Sequence, residues 1–384
     1  MKETQFSDRA LSITAKTVVV KLGSALLAPG GRLSESALNQ LACDVAAMAL
    51  RGRRFVIVSS GAIASGFRAL GLAAMPSTIV QKQAAAAVGQ QRLMAVWSAA
   101  FAAHGLTVAQ ILLTAEDLDA RDRMVNARRT FGELLARGIV PIVNENDTVS
   151  YAEIKLGDND RLSALVAGLI QADLLLILSG VEGLHAGGPR GPVLPRVGSI
   201  SEARTHIAPE KSAVGTGGME TKIAAAEIAG RAGIPMVIAG GRVDRVISRV
   251  LSGEEVGTWF PPLGVRQSAR KRWLGMAARP RGTILVDEGA EKAVANRGAS
   301  ILPGGITDVR GEFAGSSTVD IATESGGVFA RGITAYSSTE VRRIMGRPSA
   351  NIALVLGFSH SEEVIHRNDL VVIRARAEKS GEPA

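Results

Sequence analysis

The chain has 384 residues, of which 46% are hydrophobic and 21% charged, a composition typical of a folded protein with two or three domains. Its apolar runs are too short to span a membrane, and the single cysteine, Cys43, excludes an internal disulfide and is typical of a reducing cytoplasm. The net charge of +8 would suit a nucleic-acid-binding protein, but six basic residues and no acidic residue fall within 266–281. We therefore interpret the basic character largely as the property of a linker.

Six short apolar runs, rich in β-branched residues, predict buried strands. Segments with helical spacing separate them, and this alternation predicts a doubly wound, mainly parallel α/β sheet. Ser34 is the expected N-cap of the first long helix, Gly52 its C-terminal stop, and Cys43 within that helix is expected to be buried. The predicted strands span residues 17–23, 54–60, 106–113, 139–144, 173–179 and 234–240, and the helices 35–51, 77–103, 122–137, 160–170 and 221–232.

A lysine–glycine motif occurs twice in this region, whereas the P-loop pattern GxxxxGK[ST] does not occur. In the first motif Lys21 ends an apolar strand just before Gly23, so its side chain either reaches the surface or points into a ligand crevice. The second motif, residues 215–222, is predicted to be a glycine-rich loop that opens a helix at Thr221. Lys222 is unfavourable at the positive end of a helix unless an anion compensates it. Both motifs therefore predict a phosphate site assembled from distant segments.

Polar or glycine residues follow four of the predicted strands, and ligands of parallel α/β sheets bind beyond the carboxyl ends of the strands. A further polar run, Asp158, Asn159 and Asp160, precedes a helix. One of these residues would serve as the N-cap, but three exceed that need and would bind an amino group, orient a lysine or contact Mg²⁺ through water. None of the five histidines lies in these clusters, which fits a carboxylate acceptor that needs no general base. The four strand-end groups are residues 21–24, 59–62, 144–147 and 179–180.

The amino-acid composition and the pattern of predicted elements change after Gly257. Two prolines and the basic stretch 266–281 indicate a linker, and short apolar runs with glycine turns beyond it indicate a small β-rich domain at 282–375. Residues 376–384 are expected to be a disordered tail.

Together these motifs resemble the amino-acid kinase family, and within it the enzymes that phosphorylate glutamate. The resemblance is carried, in the family's order, by residues 18–24, 58–63, 144–147, 157–160 and 215–222. It implies an amino-acid kinase domain at 1–265, and residues 282–375 resemble the PUA domain that such kinases carry. The implied reaction is ATP-dependent phosphorylation of the side-chain carboxylate of L-glutamate to L-glutamyl 5-phosphate, the first step of proline biosynthesis.

The resemblance also implies a role for each site residue. Lys21 and Lys222 would neutralise the transferring phosphoryl group, and Asp160 would hold both lysines in place. Glutamate would be bound by Ser60, Asp147 and Asn159, while Mg²⁺ would arrive with the nucleotide and have no ligand from the protein. The implied ATP-binding residues are Lys21, Ser179, Gly180, Thr216, Gly217, Gly218, Met219, Glu220, Thr221 and Lys222.

The implied partners are glutamate and ATP as substrates, proline as feedback inhibitor, further copies of the chain in a homo-oligomer, and glutamyl phosphate reductase as recipient of the product. The implied location is the cytoplasm, without a membrane or RNA partner. The sequence departs from the family's pattern among the implied ATP-binding residues. There Ser179 and Gly180 replace the Thr-Asp of many relatives, so a carboxylate is lost.

Two alternatives stay open. The first is a kinase for another small carboxylate, N-acetylglutamate or aspartate; the acidic clusters favour a free amino group and so disfavour the acetylated substrate. The second is an RNA-binding or RNA-modification protein, based on the C-terminal domain. Residues 282–384 carry 11 Lys and Arg against 13 Asp and Glu and show no evident series of stacking aromatics, which disfavours RNA.

Overall fold

The structure of the chain is a computed structural model. It describes residues 5–119, 121–149, 158–207, 216–263, 280–325 and 327–373. The chain divides into two compact units, Met1–Arg266 and Gln267–Ala384. Most of the predicted linker 266–281, namely residues 266–279, and the whole predicted tail, 376–384, lie outside the described residues.

The first unit contains a seven-stranded sheet with the strand order β3-β4-β2-β1-β5-β6-β7. Its first six strands are parallel, as predicted, and lie close to the predicted bounds. The last strand, which the sequence patterns did not predict, is antiparallel to β6. The strands are Thr17–Leu22 (β1), Arg54–Val58 (β2), Val108–Leu113 (β3), Val140–Glu145 (β4), Leu174–Ser179 (β5), Met236–Gly240 (β6) and Thr258–Phe260 (β7).

Helices follow most of these strands. Ser34 caps α3 as predicted, because its hydroxyl accepts a hydrogen bond from the Ala37 N–H. Helix α10 begins at Thr216, so the prediction of a glycine-rich loop before Thr221 is wrong for residues 216–220, which are helical. The helices are Gln5–Thr14 (α1), Ser24–Leu27 (α2), Glu35–Ala49 (α3), Ala62–Gly66 (α4), Ile79–Ala102 (α5), Ala115–Asp119 (α6), Arg121–Ala136 (α7), Asp158–Ile170 (α8), Ile200–Thr205 (α9), Thr216–Arg231 (α10) and Val246–Leu251 (α11).

Every residue of β1 is buried, because helices cover both faces of the sheet. Side chains alternate between the two faces of a strand, and Val18, Val20 and Leu22 join the core formed with α3, α5 and α11. The alternate positions point to the other face, where α8 packs on β1 and α10 packs on α8. Lys21 belongs to that second set, so its charged side chain enters the buried layer between the sheet and α8.

Helices α4 and α5 cross with their backbones in contact. A Cβ atom on Gly89 would lie 1.7 Å from the carbonyl oxygen of Ala62, and one on Gly66 would lie 1.9 Å from that of Ala85. Neither distance can be tolerated, so this crossing requires glycine at both positions. The contact fixes α5 against the turn that joins β2 to α4, where Gly61 has a φ of 103°.

Cys43 lies on the outer face of α3 and is exposed, so the prediction that it is buried is wrong. The same helix buries Leu38, Leu41 and Val45, and a residue of small volume can occupy either face. In the described ranges, no helix has the length and apolar character needed to cross a lipid bilayer.

The second unit contains a five-stranded mixed sheet with the order β12-β11-β10-β8-β9, which confirms the predicted small β-rich domain. Its core includes Ile284, Val319, Phe329 and Tyr336. The strands are Thr283–Val286 (β8), Ile306–Arg310 (β9), Thr318–Thr323 (β10), Val328–Ile333 (β11) and Leu370–Val372 (β12), and the helices Glu288–Arg297 (α12), Ser338–Ile344 (α13) and Ile352–Leu356 (α14).

Candidate active site

The central strands β1 and β5 are neighbours, although α3 leads from β1 towards β2 on the other side. A reversal of this kind opens a crevice at the carboxyl ends of the strands. The Gly23 N–H donates to the Leu178 carbonyl at 3.0 Å, and the Gly241 N–H donates to the Ser179 carbonyl at 2.9 Å. These bonds tie the strand-end turns together at the crevice.

A cluster of three charged side chains lies beside these turns. Lys21 Nζ is 2.6 Å from Asp160 Oδ1, and Lys222 Nζ is 3.1 Å from Asp160 Oδ2. Lys21 is 5% exposed, Asp160 1% and Lys222 8%. The interpretation of Lys21 as a surface-reaching lysine is therefore wrong, and Asp160 orients both lysines. We call Lys21, Asp160 and Lys222 the charged triad.

Local bonds hold the triad in place. Asp160 lies in the first turn of α8, where its carbonyl accepts a hydrogen bond from Ser163 Oγ at 2.6 Å. Thr221 Oγ1 donates to Asp160 Oδ2 at 2.8 Å, and Lys222 Nζ donates to the Gly218 carbonyl at 3.0 Å. Two adjacent residues of α10 thus bind the same carboxylate.

The triad carries a net charge of +1, because its two ammonium groups share one carboxylate. Burial lowers the pKa of Lys21 below its ordinary value, although the charge of Asp160 opposes this shift. Burial by itself would raise the pKa of Asp160, but the charges of Lys21 and Lys222, together with the hydrogen bonds from Lys21 and Thr221, outweigh it and lower that pKa. An unbalanced buried charge costs several kcal/mol, so the triad is suited to bind an anion.

Polar side chains form a second cluster at the ends of β2 and β4. Asn159 Nδ2 lies 3.0 Å from Ser60 Oγ, 3.1 Å from the Ser59 carbonyl and 3.2 Å from Asn144 Oδ1. Asn144 Nδ2 in turn donates to Gln90 Oε1 at 2.9 Å. We call Gln90, Asn144 and Asn159 the amide chain. Because Asn159 directly precedes Asp160, the amide chain adjoins the charged triad.

The structure thus brings together Asn159 and Ser60, which the sequence assigned to substrate, and adds Gln90 and Trp97, which it did not. Trp97 Nε1 donates to Ser59 Oγ at 3.0 Å and is fully buried. Both added residues lie in α5, a helix rich in alanine and glutamine, where no motif distinguishes them.

The other predicted site residues lie around these clusters or outside the description. Asp147 follows β4 and is partly exposed. Ser179 Oγ accepts a hydrogen bond from the Val181 N–H at 3.3 Å, so it is engaged in its own turn, while Gly180 beside it is exposed. Within α10, Gly218 and Glu220 are exposed and Met219 is partly buried, whereas Gly215 and the side chain of Thr216 lie outside the described residues.

Among the described residues, no group of three or more His, Cys, Asp or Glu side chains is placed to hold a metal ion. Both carboxylate oxygens of Asp160 already face ammonium groups. Mg²⁺ commonly binds through substrate phosphates and water, so it would enter this site with a nucleotide.

Comparison with known proteins identifies the class. Residues 16–240 match the model of the Amino acid kinase family, and residues 282–356 match that of the PUA domain. The chain therefore belongs to the amino acid kinase family and carries a C-terminal PUA domain.

Individual similar proteins narrow the relationship within this family. Glutamate 5-kinase from Geobacter sp. (strain M21) is 46% identical over 364 residues, covering 93% of this chain and 98% of the relative. Glutamate 5-kinase from Myxococcus xanthus (strain DK1622) is 46% identical over 366 residues, covering 94% and 97%. Glutamate 5-kinase from Thermus thermophilus is 45% identical over 364 residues, covering 94% and 98%. The chain is thus a kinase homologous to glutamate 5-kinases over nearly its whole length.

Proposed function

We propose that the protein transfers the γ-phosphoryl group of ATP to the side-chain carboxylate of L-glutamate, giving L-glutamyl 5-phosphate and ADP, and that this is the first step of proline biosynthesis. The observation that carries the proposal is the charged triad, a buried pair of ammonium groups fixed by one carboxylate at the central crevice. The names of the similar proteins support glutamate as the acceptor.

Phosphoryl transfer depends mainly on positioning and on neutralising the charge of the transferring group. Lys21 and Lys222 approach the crevice from β1 and α10, and Asp160 holds both at fixed distances. Asp160 acts as a positioning residue in this proposal, since its oxygens face the lysines. The acceptor carboxylate is ionised at neutral pH, so no side chain has to remove a proton from it.

The amide chain provides the contacts for glutamate. Asn159 donates through Nδ2 to protein acceptors, and its buried Oδ1 has no partner among the described residues. An unpaired buried oxygen accepts readily from an ammonium group such as the α-amino group of glutamate. Ser60 Oγ accepts from Asn159, which leaves its own hydrogen available for a substrate carboxylate. Asp147 adds a negative charge near the strand end and complements the α-amino group.

We place ATP on the α10 side of the crevice, because Lys222 and Thr221 face Asp160 there. The residues assigned to ATP remain Lys21, Ser179, Gly180 and the α10 segment from Thr216 to Lys222. The exposed Gly180 offers its backbone at the end of β5, in place of a side-chain contact. Mg²⁺ accompanies the nucleotide and supplies further neutralisation of phosphate charge.

The test is an assay of acyl-phosphate formation, trapped as the hydroxamate, with purified protein, ATP and a panel of carboxylates. The panel contains L-glutamate, L-aspartate, N-acetyl-L-glutamate and L-glutamine. We expect turnover with L-glutamate at least about a hundredfold above the others, since a polar site rejects ligands that leave its groups unpaired. Preference for aspartate or N-acetylglutamate would overturn the assignment of substrate.

Further parts of the proposal concern regulation and partners. Proline shares an α-carboxylate and an amino nitrogen with glutamate, so we place its inhibitory site at the amide chain. Glutamate titrations at fixed proline should then show competition, and inhibition that no glutamate concentration relieves would place proline elsewhere.

The proposal also includes a homo-oligomer, handover of the labile acyl phosphate to glutamyl phosphate reductase, and a cytoplasmic location, which the single cysteine supports.

A further inference from the structure

We propose that Gln90 is a positioning and specificity residue, whose side-chain oxygen sets the direction of the amide chain and thereby makes Asn159 present an acceptor to the amino acid. This inference rests on the proposed function, because the ligand is the same amino-acid substrate. It adds a residue from α5, which supplies no strand-end motif.

The direction of the amide chain follows from one backbone group. The Ser59 carbonyl can only accept a hydrogen bond, so the Asn159 atom 3.1 Å away must be the Nδ2 donor. The Asn144 atom that faces this nitrogen must then be an oxygen, which turns the Asn144 nitrogen towards Gln90. Gln90 must meet that nitrogen with Oε1.

The amide chain therefore has two chemically different ends. At one end Asn159 Oδ1 is a buried acceptor, and at the other Gln90 Nε2 is a buried donor, and neither has a partner within the described part of the chain. Gln90 is 9% exposed and Asn144 is 3% exposed, so water cannot readily replace Oε1 as the partner of Asn144. Without that oxygen, Asn144 is free to rotate its amide and Asn159 loses a fixed acceptor.

Gln90 is itself held firmly. Its neighbour Gly89 makes the backbone contact with α4, where a Cβ atom would lie 1.7 Å from the Ala62 oxygen. On either side of Gln90 along the helix, Ala86, Leu93 and Trp97 are buried in the core. The Gln90 side chain thus reaches Asn144 from a rigid helix, as a positioning residue should.

The experiment compares two variants with the wild-type protein. Gln90→Met keeps length and volume but removes the acceptor, while Gln90→Glu keeps an oxygen for Asn144 and replaces the free amino end with a second, charged carboxylate oxygen. We expect Gln90→Met to raise the KM for glutamate about tenfold, the loss expected for one buried hydrogen bond, with the KM for ATP changed less than about twofold. Gln90→Glu, which keeps the acceptor, should raise the KM for glutamate less than Gln90→Met does, with the KM for ATP again changed less than about twofold.

A double-mutant cycle tests whether Gln90 acts through Asn144. In an Asn144→Leu background, Gln90→Met should cause no further rise in the KM for glutamate, because the group it positions is gone. Thermal melting of each variant serves as the control for folding. Equal changes of both KM values in Gln90→Met, an effect of Gln90→Glu as large as that of Gln90→Met, or additive effects in the cycle would overturn the proposal.

The activity of the wild-type protein on the panel distinguishes a failure of this proposal from a failure of the glutamate assignment. If the wild-type protein phosphorylates a different amino acid of the panel, the substrate assignment fails, and the same variants are measured with that amino acid. A selective KM effect there still supports Gln90 as the positioning residue, and its absence rejects it.

Discussion

The two units of the chain use buried polar side chains differently. In the first unit the buried polar groups include the charged triad, in which two cations share one anion. In the described part of the second unit, the buried side chains with a polar group are those of Thr318, Thr334, Ser338 and Tyr336, and all four carry a hydroxyl and no charge. Thr334 bonds the backbone at Tyr336, and Ser338 bonds Glu312, so these hydroxyls stabilise turns.

Ion pairs show the same contrast. In the second unit Arg331 and Asp320 pair one cation with one anion at 2.7 Å, and both side chains are partly exposed. A balanced pair of this kind needs no ligand, whereas the triad retains a buried positive charge that only an anion can offset. The comparison indicates that the chemistry lies in the first unit, and the following predictions are designed to break or sharpen that conclusion.

The largest effect is expected from Lys222→Ala. Removing one ammonium group from a transferring phosphoryl group should lower kcat about 10²- to 10³-fold, as for other single electrostatic contacts to a transition state. The melting temperature should change little, since Asp160 remains paired one to one with Lys21. Lys16→Ala, at an exposed lysine before β1, is the matched control and should keep full activity. Near-native turnover of a well-folded Lys222→Ala protein would remove Lys222 from the mechanism.

Asp160→Asn should damage stability as well as activity. It leaves two buried ammonium groups without an anion, and breaking a buried pair in this way costs about 3–5 kcal/mol. Urea unfolding of both proteins would measure the difference in free energy of unfolding. A variant as stable as wild type would show that the triad is not the buried, unbalanced cluster described above.

The pH dependence of that difference has a defined sign. The pKa of Asp160 in the folded protein lies below its ordinary value of 3.8. Its carboxylate therefore stabilises the fold fully above pH 3.8, and the contribution is lost as the pH falls through the lower, folded-state pKa. Between about pH 5 and neutral pH the stability difference between wild type and Asp160→Asn should be constant, and on the acidic side it should shrink only below the ordinary value. If the stability difference already declines near neutral pH, groups other than Asp160 cause its pH dependence.

Asp147→Ala is expected to affect substrate selectively. Loss of a charged contact to the α-amino group should raise the KM for glutamate about tenfold and leave the KM for ATP nearly unchanged. Steady-state kinetics with each substrate varied in turn would show the split. An equal rise of both KM values would instead give Asp147 a structural role or a role beside the metal–nucleotide complex.

The smallest effect is expected from removing the second unit. A chain that ends at Gly264 should melt cooperatively and phosphorylate glutamate within about threefold of the full-length rate, since compact units usually keep their own cores. A chain that ends at residue 375 is the control for loss of the tail alone. A soluble truncation that binds ATP but does not turn over would place a necessary contribution in the second unit and overturn the comparison.

Local sequence patterns determined much of the fold. A short apolar run rich in β-branched residues is a local feature of the sequence, so the six parallel strands were predicted within a few residues. The short strand β7 was missed, because three residues form too short a run to be distinguished. The start of α10 was placed five residues too late, because glycines normally weaken a helix and here lie in its first turns.

The sequence by itself determined which side chains follow the strands, and the resemblance of its motifs pointed to Lys21, Asp160 and Lys222. Only the tertiary structure decided that one carboxylate holds both lysines, and that Gln90 from α5 sets the direction of the amide chain. These contacts join residues more than fifty positions apart. A local pattern cannot encode them, because they depend on which helix packs over which strand end and how closely glycines let the backbones approach.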